Sequence, residues 1–195
     1  MQRLVRVALA SVVAIASIGI ATTSLSFFVS RPEAENSIAQ TQVARGESAL
    51  PVSLPTQAII TLVDGAGQRS GRIIEMNDET IILHTGKAQP ETIARQDIAF
   101  IEFQKGSIVH LRNGPMMYRG SKPDDKIKIL DRVPPRAFQV TDARKGQLQI
   151  DLTLTSLNAD QISGYISNSK SFSYVVNRIE CDRHSNQMTV TLTRH

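Results

Sequence analysis

Residues 7–30 carry no charged side chain, and they follow an N-terminus whose only charged side chains are Arg3 and Arg6. A basic start and an apolar run form the pattern that a membrane translocation machinery engages. No other feature constrains the chain as much, because everything after about Arg31 is then expected beyond a membrane. Two readings of the run stay open. A cleaved signal peptide has an apolar stretch of about 7 to 15 residues and small residues at its cleavage site. Val7 to Ala16 has that length, and Ser24-Leu25-Ser26 or Ser37-Ile38-Ala39 supplies the small residues. A retained anchor needs roughly 20 apolar residues to cross about 30 Å of hydrocarbon. Val7 to Val29 is long enough, with Arg3 and Arg6 held on the cytoplasmic side. No cysteine follows the run, so bacterial lipidation at that point is chemically excluded. The expected location is the cell envelope: membrane-anchored on the extracytoplasmic side, or periplasmic or secreted after signal cleavage.

The formal net charge is +4, from 22 basic and 18 acidic side chains. Without Arg3 and Arg6 the exported part is near +2, so a pI near 9.5 overstates its basicity. Such a balance makes no case for nucleic-acid binding. The charge is unevenly placed. Residues 56–103 hold four basic and seven acidic side chains, and residues 126–195 hold ten basic and six acidic. The expected reading is a solvated mixed surface. The single cysteine, Cys181, has no partner for an internal disulfide and is expected as a buried structural thiol.

The organisation expected along the chain is mainly β. Residues 1–30 form the N-terminal hydrophobic helix, signal or anchor, and residues 31–55 a linker with Pro32, Pro51 and Pro55. Residues 56–112 read as a small β-barrel-like module. Their short Ile- and Val-rich runs stop at Asp64-Gly65, Asn77-Asp78, Thr85-Gly86 and Asn113-Gly114-Pro115. Residues 113–125 read as a loop, and 126–195 as a C-terminal antiparallel β module. There Leu148, Ile150, Leu152 and Leu154 fall on one face of a period-two run, as do Met188, Val190 and Leu192 of a second. Arg144-Lys145-Gly146 and Arg183-His184-Ser185-Asn186 read as hairpin turns. Leu157 to Ile162 is expected as a single helical turn, with no long amphipathic helix after the anchor. A single sheet shared by both modules is the alternative to two.

Over about residues 58–103 the chain resembles an Sm-like or SH3-like small barrel. The resemblance rests on a strand ending at Asp64-Gly65, then Gly71-Arg72-Ile73-Ile74, then Asn77-Asp78-Glu79-Thr80-Ile81, then Ile98-Ala99-Phe100-Ile101. It implies a five-strand fold. RNA-binding Sm proteins carry an Asp-x-x-x-Asn type loop and an Arg-Gly pair near the last strands; neither stands here in register, so no RNA-binding residue carries over.

No constellation of catalytic, cofactor-binding or metal-binding residues emerges. The histidines, His84, His110, His184 and His195, include no pair at ligand spacing, and Cys-x-x-Cys is absent. Ser70, Ser163 and Ser173 lack a Gly-x-Ser-x-Gly elbow. Cys181 and His184 are the one tempting nucleophile–base pair, three residues apart across a strand and turn. Asp78-Glu79 and Asp124-Asp125 are adjacent carboxylates, which point to opposite faces if extended. The expectation is therefore a non-enzymatic protein-interaction or structural module of the bacterial envelope. Its expected partner is another envelope protein, its membrane contact runs through the N-terminal segment, and no nucleic acid or cofactor is expected. An exported hydrolase with an unrecognised active site is the alternative. A reporter active only outside the cytoplasm should work when fused after Leu130; activity of a cytoplasm-only reporter at that junction would overturn the expected location.

Overall fold

The computed structural model describes residues 48–122 and 125–195. The expected hydrophobic helix and residues 31–47 of the expected linker lie outside them. The described chain is mainly β, with thirteen strands and one α-helix.

Five strands form the first half: β2 (Ala58–Leu62), β3 (Gln68–Met76), β4 (Thr80–His84), β5 (Glu91–Ala94) and β6 (Ile98–Phe103). Strands β2 to β5 run as an antiparallel meander, and β6 returns to lie antiparallel against β2. The turns sit where the sequence marks them. Asp64, Gly65 and Gly67 take positive φ between β2 and β3. Asn77 closes the next turn, its Oδ1 accepting from the N–H groups of Glu79 and Thr80 at 3.0 and 2.8 Å. Gly71 is required by space: a Cβ there would stand 2.6 Å from the His84 carbonyl oxygen on β4.

The second half adds β9 (Ile127–Val133), β10 (Phe138–Asp142), β11 (Gln147–Asp151), β12 (Tyr174–Cys181) and β13 (Met188–Arg194). The expected turns join β10 to β11 and β12 to β13. Strand β12 ties the halves together. On one edge it pairs with β1 (Ala49–Ser53) through Tyr174 and Val175, then with β6 through Arg178 to Glu180. On the other edge it pairs with β13 along its length. A bulge between Val176 and Arg178 marks the switch from β1 to β6. Eleven strands thus join in one sheet, and one apolar core spans it from Ile73 and Ile81 to Leu148 and Ile150.

Four expectations need correction. The linker was expected to run to residue 55, but β1 occupies Ala49–Ser53 between β11 and β12. Pro51 disguises it. A residue without an N–H is tolerated there because the parallel pairing with β12 begins only at Val52. The expected loop 113–125 contains β8 (Gly114–Met117), which pairs with β7 (Ile108–Leu111) as a separate ribbon. Leu154 is not inside. Strand β11 stops at Asp151, whose carboxylate accepts from the Thr153 N–H at 3.0 Å and opens a 3-10 turn, Leu152–Leu154. Period two ends there, and Leu154 is left 39% exposed.

The fourth correction is the helix. In place of one turn, α1 runs over Ala159–Ser171. Asn158 caps it, accepting from the Gln161 N–H at 2.9 Å while Gln161 accepts from the Asn158 N–H at 3.0 Å. Ser163, Gly164, Ser167 and Ser169 hide it, since serine and glycine are modest helix formers. Ile162, Tyr165 and Ile166 supply a narrow apolar face that packs on the core, and this tertiary contact sustains the helix.

The uneven charge is largely met inside the molecule. Arg136, Arg178 and Arg183 of the basic half pair with Asp78, Glu102 and Asp64 of the acidic half at 3.2, 2.5 and 2.9 Å. These pairs are exposed and individually weak, so their contribution is mainly to relative orientation. Burial separates two neighbours on β11 sharply. Ile150 is fully buried and Gln149 exposed. Ile150→Ala should cost about 2 to 5 kcal/mol through lost transfer energy and a cavity. Gln149→Ala should change stability by less than about 0.5 kcal/mol. Equal losses in urea melts would contradict this packing.

Candidate functional site

The β7–β8 ribbon borders two concavities. It lies over the outer face of β12 and β13, where period-two patterning alone expects a wet surface. Instead Val109, Tyr118 and Val175 form a small buried cluster, and Thr193 is fully buried. A polar network fastens the ribbon. The Tyr118 hydroxyl donates to Asn177 Oδ1, Asn177 Nδ2 donates to Ser121 Oγ at 3.3 Å, and the Ser121 and Thr193 hydroxyls lie 2.8 Å apart. Asn177 is the residue skipped at the β12 bulge, so the irregularity that switches strand partners also aims this amide at the ribbon. On the ribbon's other side the His110 carbonyl accepts from Ser53 Oγ and Gln147 Nε2, at 3.3 and 3.4 Å.

Two adjoining clefts follow the ribbon, of about 260 and 460 Å³. Leu111, Arg112, Ser169, Phe172 and Ser173 line both, so together they make one groove between the ribbon and the C-terminal end of α1. One end reaches Pro51, Thr141 and Gln149; the other reaches Met116, Lys170 and His195. Ser, Thr, Asn and Gln side chains share the walls with apolar residues such as Val52, Leu111, Leu148 and Phe172. Among the described residues the charged side chains on the lining are Arg112 and Lys170, with no Asp or Glu in either part. Phe172 is buttressed on both sides. The Arg194 guanidinium lies 4.0 Å from its ring centroid, and Tyr174 meets it edge-on at 6.1 Å.

Among the described residues, two buried polar atoms of lining residues have no hydrogen-bond partner. They are the Tyr174 hydroxyl, with Asn168 beside it outside bonding geometry, and His195 Nε2. Burial raises the Tyr174 pKa above the usual phenol range, so the hydroxyl stays protonated and able to donate. Burial also lowers the His195 pKa, more than the nearby Asp125 offsets it, which favours the neutral imidazole. The hydroxyls of Ser53 and Ser169 donate to the main-chain carbonyls of His110 and Ile166 and so serve structure.

The individually weighed residues disperse. His84 is exposed at the end of β4, its Nδ1 accepting from the Gly86 N–H at 3.1 Å. His184 is exposed in the β12–β13 turn, where its N–H donates to Asp182. Ser70 is exposed and accepts from Gln57 Nε2 at 2.6 Å. Asp78 turns to Arg136, while Glu79 contributes its backbone to the Asn77 turn. Only His110, His195 and Ser173 come together along the groove. Sequence reasoning missed Arg112, Lys170 and Phe172. Their positions follow from the ribbon and from α1, neither of which the pattern revealed. Among the described residues no group of three His, Cys, Asp or Glu side chains stands close enough to hold a metal ion.

Cys181 is half-buried against Arg95, and burial pushes its thiol up to about 11 despite that guanidinium. Arg95 is itself buried, donating to the carbonyls of Asp182 and Ser185 at 3.2 Å each. It thereby pins the β12–β13 turn to the chain between β5 and β6. No protein-family model, curated protein or solved structure matches the chain. The thiolate is the reactive form of cysteine, so alkylation of Cys181 at pH 8 should be about a hundredfold slower in the native protein than in urea. Equal rates would show an exposed, ordinary thiol.

Proposed function

We propose that this is a non-enzymatic binding module of the bacterial cell envelope. Its particular role is to present a β scaffold, tethered by residues 7–30 or released after signal cleavage, to another envelope protein. The groove beside the β7–β8 ribbon carries the reading. It is concave and lined by hydrogen-bonding side chains together with apolar surface from Leu111 and Phe172. Among the described residues no helix is long and apolar enough to cross a membrane, so on this reading any anchor is the N-terminal run.

We also propose that β2 to β6 is a small barrel of the Sm-like or SH3-like kind. A four-strand meander whose fifth strand returns to the first supports it. Its role here is mechanical: through β6 it supports β12, on which the ribbon rests.

The test is site-specific photocrosslinking in intact membranes. A photoreactive residue replacing Asn113, at the groove, should give one discrete adduct with an envelope protein. The same residue replacing Gln96, exposed on the turn between β5 and β6, should not. Identical adducts from both positions, or none from Asn113, would overturn the reading.

A further inference from the structure

We infer that the groove takes an extended, acidic peptide segment of its partner, with Arg112 and Lys170 as the anchoring cations. The inference rests on the binding-module reading and adds the chemistry of what is bound.

Charge is the first argument. Elsewhere Arg136, Arg178 and Arg183 meet acids of the same chain, and Arg69 meets Glu91 at 2.8 Å. Arg112 and Lys170 stand exposed and make no ion pair among the described residues, on a lining that holds no acid. A carboxylate entering there finds two cations and, among the described residues, no Asp or Glu on the lining. Charge-assisted bonds of that kind are stronger than neutral ones.

Shape is the second. The two parts share five lining residues and otherwise draw on different ones, which suits a ligand long enough to contact both. At the junction Leu111 and Phe172 offer apolar surface, with Arg112 and Ser173 beside them. Farther out, Asn113 and Gln149 offer amides that match main-chain N–H and C=O groups. Peptides combine all three kinds of group at residue spacing. Stacking of a base or sugar ring gets little help here, because the one aromatic residue common to both parts, Phe172, has Arg194 over one face and a T-shaped contact with Tyr174. A bilayer is flat and does not follow a groove walled by a ribbon and a helix end.

The experiment measures binding of a dye-labelled oligoglutamate peptide to the full chain in detergent, by fluorescence anisotropy, with oligoglutamine as the neutral counterpart. Oligoglutamate should bind and oligoglutamine should not, and raised salt should weaken the complex. Arg112→Glu and Lys170→Glu should each weaken it about tenfold, as expected for loss of a charge-assisted contact plus a new repulsion. Lys87→Glu, the same charge change on the distant β4–β5 turn, should leave it within about twofold. Equal loss with Lys87→Glu would reduce the effect to net charge and overturn the inference. So would equal binding of oligoglutamine, absence of binding, or displacement of the peptide by anionic vesicles or a sulfated glycan at lower concentration. A partner crosslinked from Asn113 with unchanged yield in Arg112→Glu leaves the binding-module reading standing and overturns only this one.

Discussion

The pairing of β12 holds the architecture together. One strand serves three neighbours because a bulged residue, Asn177, lets it leave β1 and take up β6 on the same edge. Without the bulge, one edge of one strand would carry a single partner in continuous register. Its inward residues, Tyr174, Val176 and Ile179, are all buried in the common core, so the joint is packed as well as hydrogen-bonded. The displaced amide then anchors Tyr118 and Ser121, which brings the β7–β8 ribbon down on the outer face. The same irregularity therefore joins the sheet and positions one wall of the groove.

Edges are managed as carefully as the centre. Among the described residues strand β9 pairs with β13 alone, and it exposes Ile127 and Ile129. A bare edge of that kind invites association. Here side chains of the α1 segment cover part of it: the Tyr165 hydroxyl donates to the Ile129 carbonyl at 3.3 Å, and Ser156 Oγ to the Asp131 carbonyl at 3.4 Å. Lys128 reaches over the Tyr165 ring from the same strand. The helix thus blunts a strand edge, packs its narrow apolar face on the core, and delivers Ser169, Lys170 and Phe172 to the groove. Its weak propensity is consistent with a segment held in place by what it touches.

Electrostatics divides between cohesion and display. The acidic first half and basic second half meet through Arg136, Arg178 and Arg183, and Arg95 adds a buried tie in the other direction through carbonyls. What the internal pairing leaves over matters for recognition. Around the groove the leftover charge is positive, from residues far apart in sequence. Gly146 marks how tightly the adjoining wall is built, since a Cβ there would stand 2.2 Å from the Leu54 carbonyl oxygen. That close approach lets the Leu54 N–H donate to the Gly146 carbonyl at 2.6 Å, tying the β10–β11 turn to the end of β1.

The sequence by itself determined the strands and turns whose signals are local. Alternation at Leu148 and Ile150 and at Met188, Val190 and Leu192 marks buried faces, because side chains on a strand alternate with period two. Asp64-Gly65, Asn77 and Gly146 mark turns because their backbone geometry is a property of those residues. Tertiary structure decided the rest. Pro51 reads as a breaker until a strand on either side shows where its missing N–H is harmless. Thr193 reads as a wet residue until the ribbon lies over it. Ala159–Ser171 reads as a polar loop until the core gives Ile162, Tyr165 and Ile166 a place to pack. The groove was illegible for the same reason: its walls come from β1, β7, β11 and α1, and long-range packing, which no local pattern encodes, sets Arg112 beside Phe172 and Ser173.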